Sequence, residues 1–250
     1  IVQWDFRQVR TEGLAKTYGS TRALHHVDAT FEAGQVTVVE GPNGSGKSTL
    51  LALLALLAKP TSGCIRYGTC TAAQIGAPLR AQIGILSHAP MLYPDLTGRE
   101  NLLFFAGLYG VDSVRVDQIL ERFAVGAYVD RPMRTWSRGQ TQRIALCRAL
   151  LHTPRVLLLD EPSTGLDSSS IEQLIDAVIE ERNRGAICVL ITHHDAIARR
   201  IADQRICLQR GQVAASVIDR HDVIDRHDVI DRHDMIDQDK EPLQRNPDSR

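Results

Sequence analysis

Short apolar runs and stretches with a helical period alternate along most of this chain. Gln35–Glu40 (QVTVVE), Ile83–Leu86 (IGIL), 156–159 (VLLL) and Ile187–Ile191 (ICVLI) predict strands, most of them fully buried. Between the last two, residues 168–182 put Ile171, Leu174, Ile175, Val178 and Ile179 on one helical face. Residues 49–58 read as a leucine-rich helix stopped near Pro60, and 97–151 as mostly helical. Residues 5–40 read as short strands and turns, punctuated by Gly13, Gly19 and Gly34. Apolar strands alternating with helices predict an α/β fold with a parallel sheet covered on both faces.

The pattern breaks at residue 217. VIDRHD at 217–222 recurs at 223–228 and 229–234, then decays to MIDQDK. A period of six matches neither a helical face nor a clean strand alternation. Each face of such a strand would mix Val or Ile with charges. Residues 217–250 are therefore expected to be a disordered repeat expansion, separate from a domain spanning 1–216. His221, His227 and His233 offer a metal-binding alternative, but nothing there fixes a ligand geometry.

Composition narrows the class. With 250 residues, 43% hydrophobic and 24% charged, the chain can bury a core without staples. Lys and Arg number 29 against 30 Asp and Glu, so the charge balance gives no case for a nucleic-acid partner. The longest apolar run, 50–58, is too short for a membrane span, and the charged N-terminus IVQWDFRQVR shows no signal peptide. Five cysteines with no C-x-x-C pair predict neither a disulfide framework nor a zinc site.

The chemistry is concentrated in two places. Gly41, Pro42, Asn43, Gly44, Ser45, Gly46, Lys47 and Ser48 fit G-x-x-x-x-G-K-[ST] between a strand and a helix, with Thr49 continuing that helix. Glycines let backbone amides close around phosphate at a helix N-terminus, Lys47 adds a charge, and Ser48 offers a hydroxyl to Mg²⁺. The 156–159 strand then delivers Asp160 and Glu161 to the sheet edge where such ligands bind. Asp160 is the candidate Mg²⁺ ligand, and Glu161 the candidate that orients the attacking water.

Over residues 7–215 the chain resembles the nucleotide-binding subunit of ATP-binding-cassette (ABC) transporters. The resemblance implies a P-loop NTPase core of RecA-like parallel sheet, an antiparallel β subdomain and a helical subdomain at about 90–150. It implies ATP and Mg²⁺ as ligands, Mg-dependent ATP hydrolysis, and a cytoplasmic protein peripheral to the membrane. Trp136-Ser137-Arg138-Gly139-Gln140 resembles the family signature Leu-Ser-Gly-Gly-Gln, departing at Trp136 and Arg138. In the family this element binds the γ-phosphate of ATP held by a second copy, which implies a head-to-tail homodimer. Asp167, in Thr164-Gly-Leu-Asp167, resembles the carboxylate that communicates across the dimer; alternatively it caps the next helix. His193 resembles the histidine that contacts the γ-phosphate, and Tyr18 the aromatic on which adenine stacks.

His88 stands where the family has a glutamine near Mg²⁺ and the attacking water, so turnover is expected to fall on acidification. The segment 87–111 containing it resembles the ATPases of haem exporters in cytochrome c maturation. The leading function is an ATPase subunit energising a separate integral membrane permease. A soluble non-transport ABC ATPase and a regulatory ATP-binding module are the alternatives.

Overall fold

The computed structural model describes residues 6–218. Its centre is a six-stranded sheet in the order β10-β9-β3-β8-β7-β6. β3 (Gln35–Glu40), β6 (Ile83–Leu86), β7 (Val156–Asp160), β8 (Ile187–Ile191) and β9 (Gln204–Gln209) run parallel; β10 (Gln212–Ile218) closes one edge antiparallel to β9. A second, antiparallel sheet holds β1 (Gln8–Tyr18), β2 (Thr21–Glu32), β4 (Ser62–Tyr67) and the short β5 (Cys70–Thr71). This is the expected α/β architecture with a parallel core and an antiparallel β subdomain.

The continuous apolar strands are explained by burial on both faces. Leu157, Leu159, Cys188 and Leu190 point into one core and Val156, Leu158, Ile187, Val189 and Ile191 into the other. The first core is covered by α4 (Gly98–Tyr109), α5 (Ser113–Arg122), α6 (Arg138–Leu150), α7 (Ser168–Asn183) and α8 (Asp195–Ile201). The second is covered by α1 (Lys47–Leu54) and the antiparallel sheet; the four-residue helices α2 (Ala72–Ile75) and α3 (Ala77–Arg80) flank it. On α7, Leu174, Ile175 and Val178 are buried with Ile171 and Ile179 packed beside them, the face read from the sequence.

Three boundaries differ from expectation. Residues 5–40 hold two long strands, β1 and β2, rather than several short ones; their pairing is broken by register shifts, one of them around Gly13, which bulges to donate its amide to Asp28 at 2.6 Å. α1 ends at Leu54, well before Pro60, because Leu56 takes a left-handed φ of 58° and Leu57 closes the turn on the Ala52 carbonyl. The buried Tyr67 hydroxyl donates to the freed Leu54 carbonyl at 2.7 Å. β10 runs to Ile218, two residues past the expected domain end; the remaining repeats, with His221, His227 and His233, lie outside the described residues.

Candidate functional site

β3 delivers the chain to Gly41 at the sheet's C-terminal edge, and α1 begins six residues later. Gly46 caps α1 at φ 105°; a Cβ there would lie 2.5 Å from Leu24 Cδ2 and 2.7 Å from the Ala23 carbonyl oxygen. Only glycine lets the β2 strand lie this close to the loop. The first amides of α1 have no acceptor within the helix and carry the positive end of its dipole. Lys47 is 8% exposed, and its ammonium donates to the Gly41 carbonyl at 2.7 Å and the Pro42 carbonyl at 3.1 Å. Ser45 Oγ is buried without a hydrogen-bond partner.

A cleft of about 690 Å³ opens over this loop. It brings together Asn43, Gly44, Gly46, Lys47, Ser48 and Thr49 with Asp160 and Glu161 from the end of β7, and with His88 and His193. Its size suits a nucleotide-sized ligand. Asp160, 8% exposed, and the Ser48 hydroxyl are hard oxygen donors on one cleft, a set that fits Mg²⁺.

Glu161 is strained into the cleft. Its φ is 48°, a conformation that costs a side-chain-bearing residue roughly 1–2 kcal/mol. The His193 amide donates to Glu161 Oε2 at 3.4 Å, and His193 Nε2 lies 3.5 Å from Oε1. That second approach is too poorly aligned for a hydrogen bond, so the buried Oε1 has no partner. The Glu161 carboxylate lines the cleft with one oxygen unpartnered, a group suited to orient a water molecule once it turns toward the ligand. His193 itself is exposed, two residues past the end of β8.

The signature lies at the start of α6. Ser137 is the N-cap: its Oγ accepts from the Gln140 amide at 3.2 Å, and Gln140 Oε1 accepts from the Ser137 amide at 3.0 Å. Arg138 lines the cleft, whereas Ser137, Gly139 and Gln140 do not. Trp136 has a packing explanation: it meets Tyr128 edge-on at 4.9 Å and donates Nε1 to the Arg131 carbonyl at 3.2 Å. Asp167 caps α7, accepting from the Ser170 amide at 2.9 Å, and meets Arg143 at 2.7 Å. Its bonds from Ser170 first, then Ser169 and the Arg143 charge, bring its carboxyl down to about 2. The helix-cap role is therefore present in this chain.

Tyr18 does not line the cleft; it is half exposed, with the Lys16 ammonium 4.8 Å above its ring. Arg22 and Gln142 do line it, and no motif singles them out in the sequence.

Comparison with known proteins agrees with this geometry. A family model described as ABC transporter matches residues 24–164. The chain is 31% identical over 208 residues to an uncharacterized ABC transporter ATP-binding protein, YdbJ, of Bacillus subtilis, covering 82% of this chain and 68% of that protein. It is 33% identical to the daunorubicin/doxorubicin resistance ATP-binding protein DrrA of Streptomyces peucetius, covering 84% of this chain and 64% of DrrA. It is 31% identical to the lipoprotein-releasing system ATP-binding protein LolD 1 of Caulobacter vibrioides, covering 84% of this chain and 96% of that one. Thus it spans just under two thirds of DrrA and nearly all of LolD 1. Among solved structures, a dimeric post-hydrolysis ATP-binding cassette bound to ADP and Pi superposes with a TM-score of 0.77 at 28% identity, covering 84% of this chain and 98% of that one.

Proposed function

Because the chain belongs to the ABC transporter family and carries its ATPase domain, we propose that it hydrolyses ATP to energise a separate integral membrane permease. It works as a head-to-tail homodimer with ATP at the interface. The observation that carries the reading is the Glu161 carboxylate, held beside His193 with one oxygen unpartnered, over the Lys47 loop. Relatives named for drug resistance and lipoprotein release, and a dimeric cassette with ADP and Pi, support it. Among the described residues no helix is long and apolar enough to cross a membrane.

The amides at the start of α1 and the Lys47 ammonium bind the phosphates, Lys47 exchanging the Gly41 and Pro42 carbonyls for phosphate oxygens. Ser48 and Asp160 would hold Mg²⁺, which would supply positive charge against the phosphates. Glu161 orients the attacking water and accepts its proton; His193 donates a hydrogen bond to the γ-phosphate as charge develops. Tyr18, which lies outside the cleft lining, would have to turn away from Lys16 to stack on adenine. Ser137, Arg138, Gly139 and Gln140 meet the γ-phosphate bound to the second copy, where Arg138 adds a cation, and Asp167 links the two sites. ATP binding the closed dimer more tightly than the open one drives the permease. The finer reading, a haem exporter, rests on segment 87–111 with His88 at the cleft.

The test is a trap in native membranes. Tagged Glu161→Gln with ATP and Mg²⁺ should retain nucleotide, stall as a closed dimer and co-purify a polytopic membrane protein, identified by mass spectrometry. Bound haem on that complex supports the finer reading. Hydrolysis at the parent rate removes Glu161 from its role, and ribosomal or DNA-bound material in place of a permease overturns the transport reading.

A further inference from the structure

The strained Glu161 peptide is held from two sides. Its amide donates to the Ile191 carbonyl of β8 at 2.8 Å. Its carbonyl accepts from the Thr164 amide at 3.2 Å and from Gln142 Nε2 at 3.2 Å; Gln142 also donates to the Pro162 carbonyl at 3.1 Å. Thr164 belongs to the same loop as Glu161. Gln142, on α6, is thus the side chain that ties this carbonyl to another element.

α6 grips the same loop twice more. A Cβ on Gly139 would lie 2.2 Å from the Gly165 carbonyl oxygen, so the two backbones are in direct contact. Arg143 meets the Asp167 carboxylate at 2.7 Å. Residues 139, 142 and 143 therefore hold the middle, the start and the end of the 161–167 loop.

We infer that the first turns of α6 and the 161–167 loop move as one body, with Gln142 the positioning residue that hands a displacement of α6 to the Glu161 carboxylate. The inference rests on the hydrolysis reading above. Ser137, the N-cap of α6, belongs to the element assigned there to the second copy's nucleotide. Closure onto that nucleotide then aligns the Glu161 serving the chain's own nucleotide, so each site waits for the other. Gln142 lines the cleft beside Glu161, yet its two hydrogen bonds go to backbone carbonyls. Its effect is on where Glu161 points.

The test compares Gln142→Met, which keeps length and volume but loses the donor, with Gln142→Lys, which restores a donor on a similar stem. Steady-state ATPase kinetics, nucleotide affinity and thermal unfolding are measured on each full-length protein. Misplacing a reacting group by a fraction of an ångström lowers kcat steeply, so Gln142→Met should lose about 10- to 100-fold in kcat with KM and Kd for ATP within about 2-fold. Gln142→Lys should recover most of that loss. If Gln142→Met does not fold, Gln142→Ala takes its place with the same expected split. Parent-like kcat in the Met or Ala variant overturns the inference. So does a kcat loss matched by an equal loss of affinity or stability, with Lys no better than Met. A parent protein that binds ATP without hydrolysing it overturns the function reading itself, and this control is read independently of the variants.

Discussion

The stability of this protein should depend on pH through His152, just after α6. Its ring stacks on Tyr109 of α4, with centroids 3.9 Å apart and planes 15° from parallel. Neither ring nitrogen has a hydrogen-bond partner. Burial pulls its pKa from 6.5 down to about 4; the nearby Ile83 backbone offsets part of this, and the Arg148 cation adds a smaller push downward. Arg148 is itself buried, donates to the Ile85 carbonyl at 2.6 Å and lies 5.2 Å from the Phe105 ring, so it stays beside His152. The fold favours the neutral ring, and the unfolded chain binds more protons between the two pKa values. This contribution is complete above pH 6.5 and is lost as pH falls toward about 4. At about 1.4 kcal/mol per unit, the loss on going from about pH 8 to about pH 5 is about 2 kcal/mol. His152→Phe keeps a ring against Tyr109 and removes the titration. Urea unfolding of parent and variant at both pH values isolates the term, since the carboxylates common to both cancel. The parent should lose about 2 kcal/mol more than the variant on acidification. Equal losses would refute the reasoning.

Two further outcomes follow from backbone contacts. Gly139→Ala forces the α6 start away from the Gly165 carbonyl and should cost about 1–3 kcal/mol by thermal or urea unfolding; parent-like stability would mean the two backbones are not in contact. Asn101 is fully buried on α4, with Oδ1 accepting from the Tyr93 amide at 2.8 Å and Nδ2 donating to the Tyr93 and Thr97 carbonyls at 3.0 and 2.9 Å. Asn101→Leu should cost about 1–3 kcal/mol and speed amide exchange at Tyr93, loosening the segment that leads from His88 to α4; unchanged exchange there would count against it.

The phosphate loop and the Asp160-Glu161 edge could be read from the sequence because their chemistry dictates both residue type and spacing. The parallel strands β3, β6, β7 and β8 could be read because burial on both faces keeps them mostly apolar, whereas β9 (QRICLQ) could not, because polar positions break its apolar run. Other features depend on contacts made far along the chain. Tyr18 precedes the loop at a plausible distance, but where its ring goes is decided by the bulged β1–β2 pairing and by Lys16. The end of α1 is set by a left-handed Leu56, a residue type that carries no stop signal, while Pro60 does. Gln142 and Arg143 look like ordinary polar positions in the second turn of α6, ahead of the fully buried stretch 144–150; only the fold shows that they hold the loop carrying Glu161.

The contact between Gly139 and Gly165 also bears on how this sequence can drift. A side chain at 139 is excluded by the chain's own backbone, whether or not any nucleotide touches that position. Selection for folding alone would keep glycine there, and tolerance of a larger residue would require a compensating change in the 161–167 loop. The two positions form one unit of inheritance, and random mutagenesis scored for solubility instead of activity should recover glycine at 139 just as firmly.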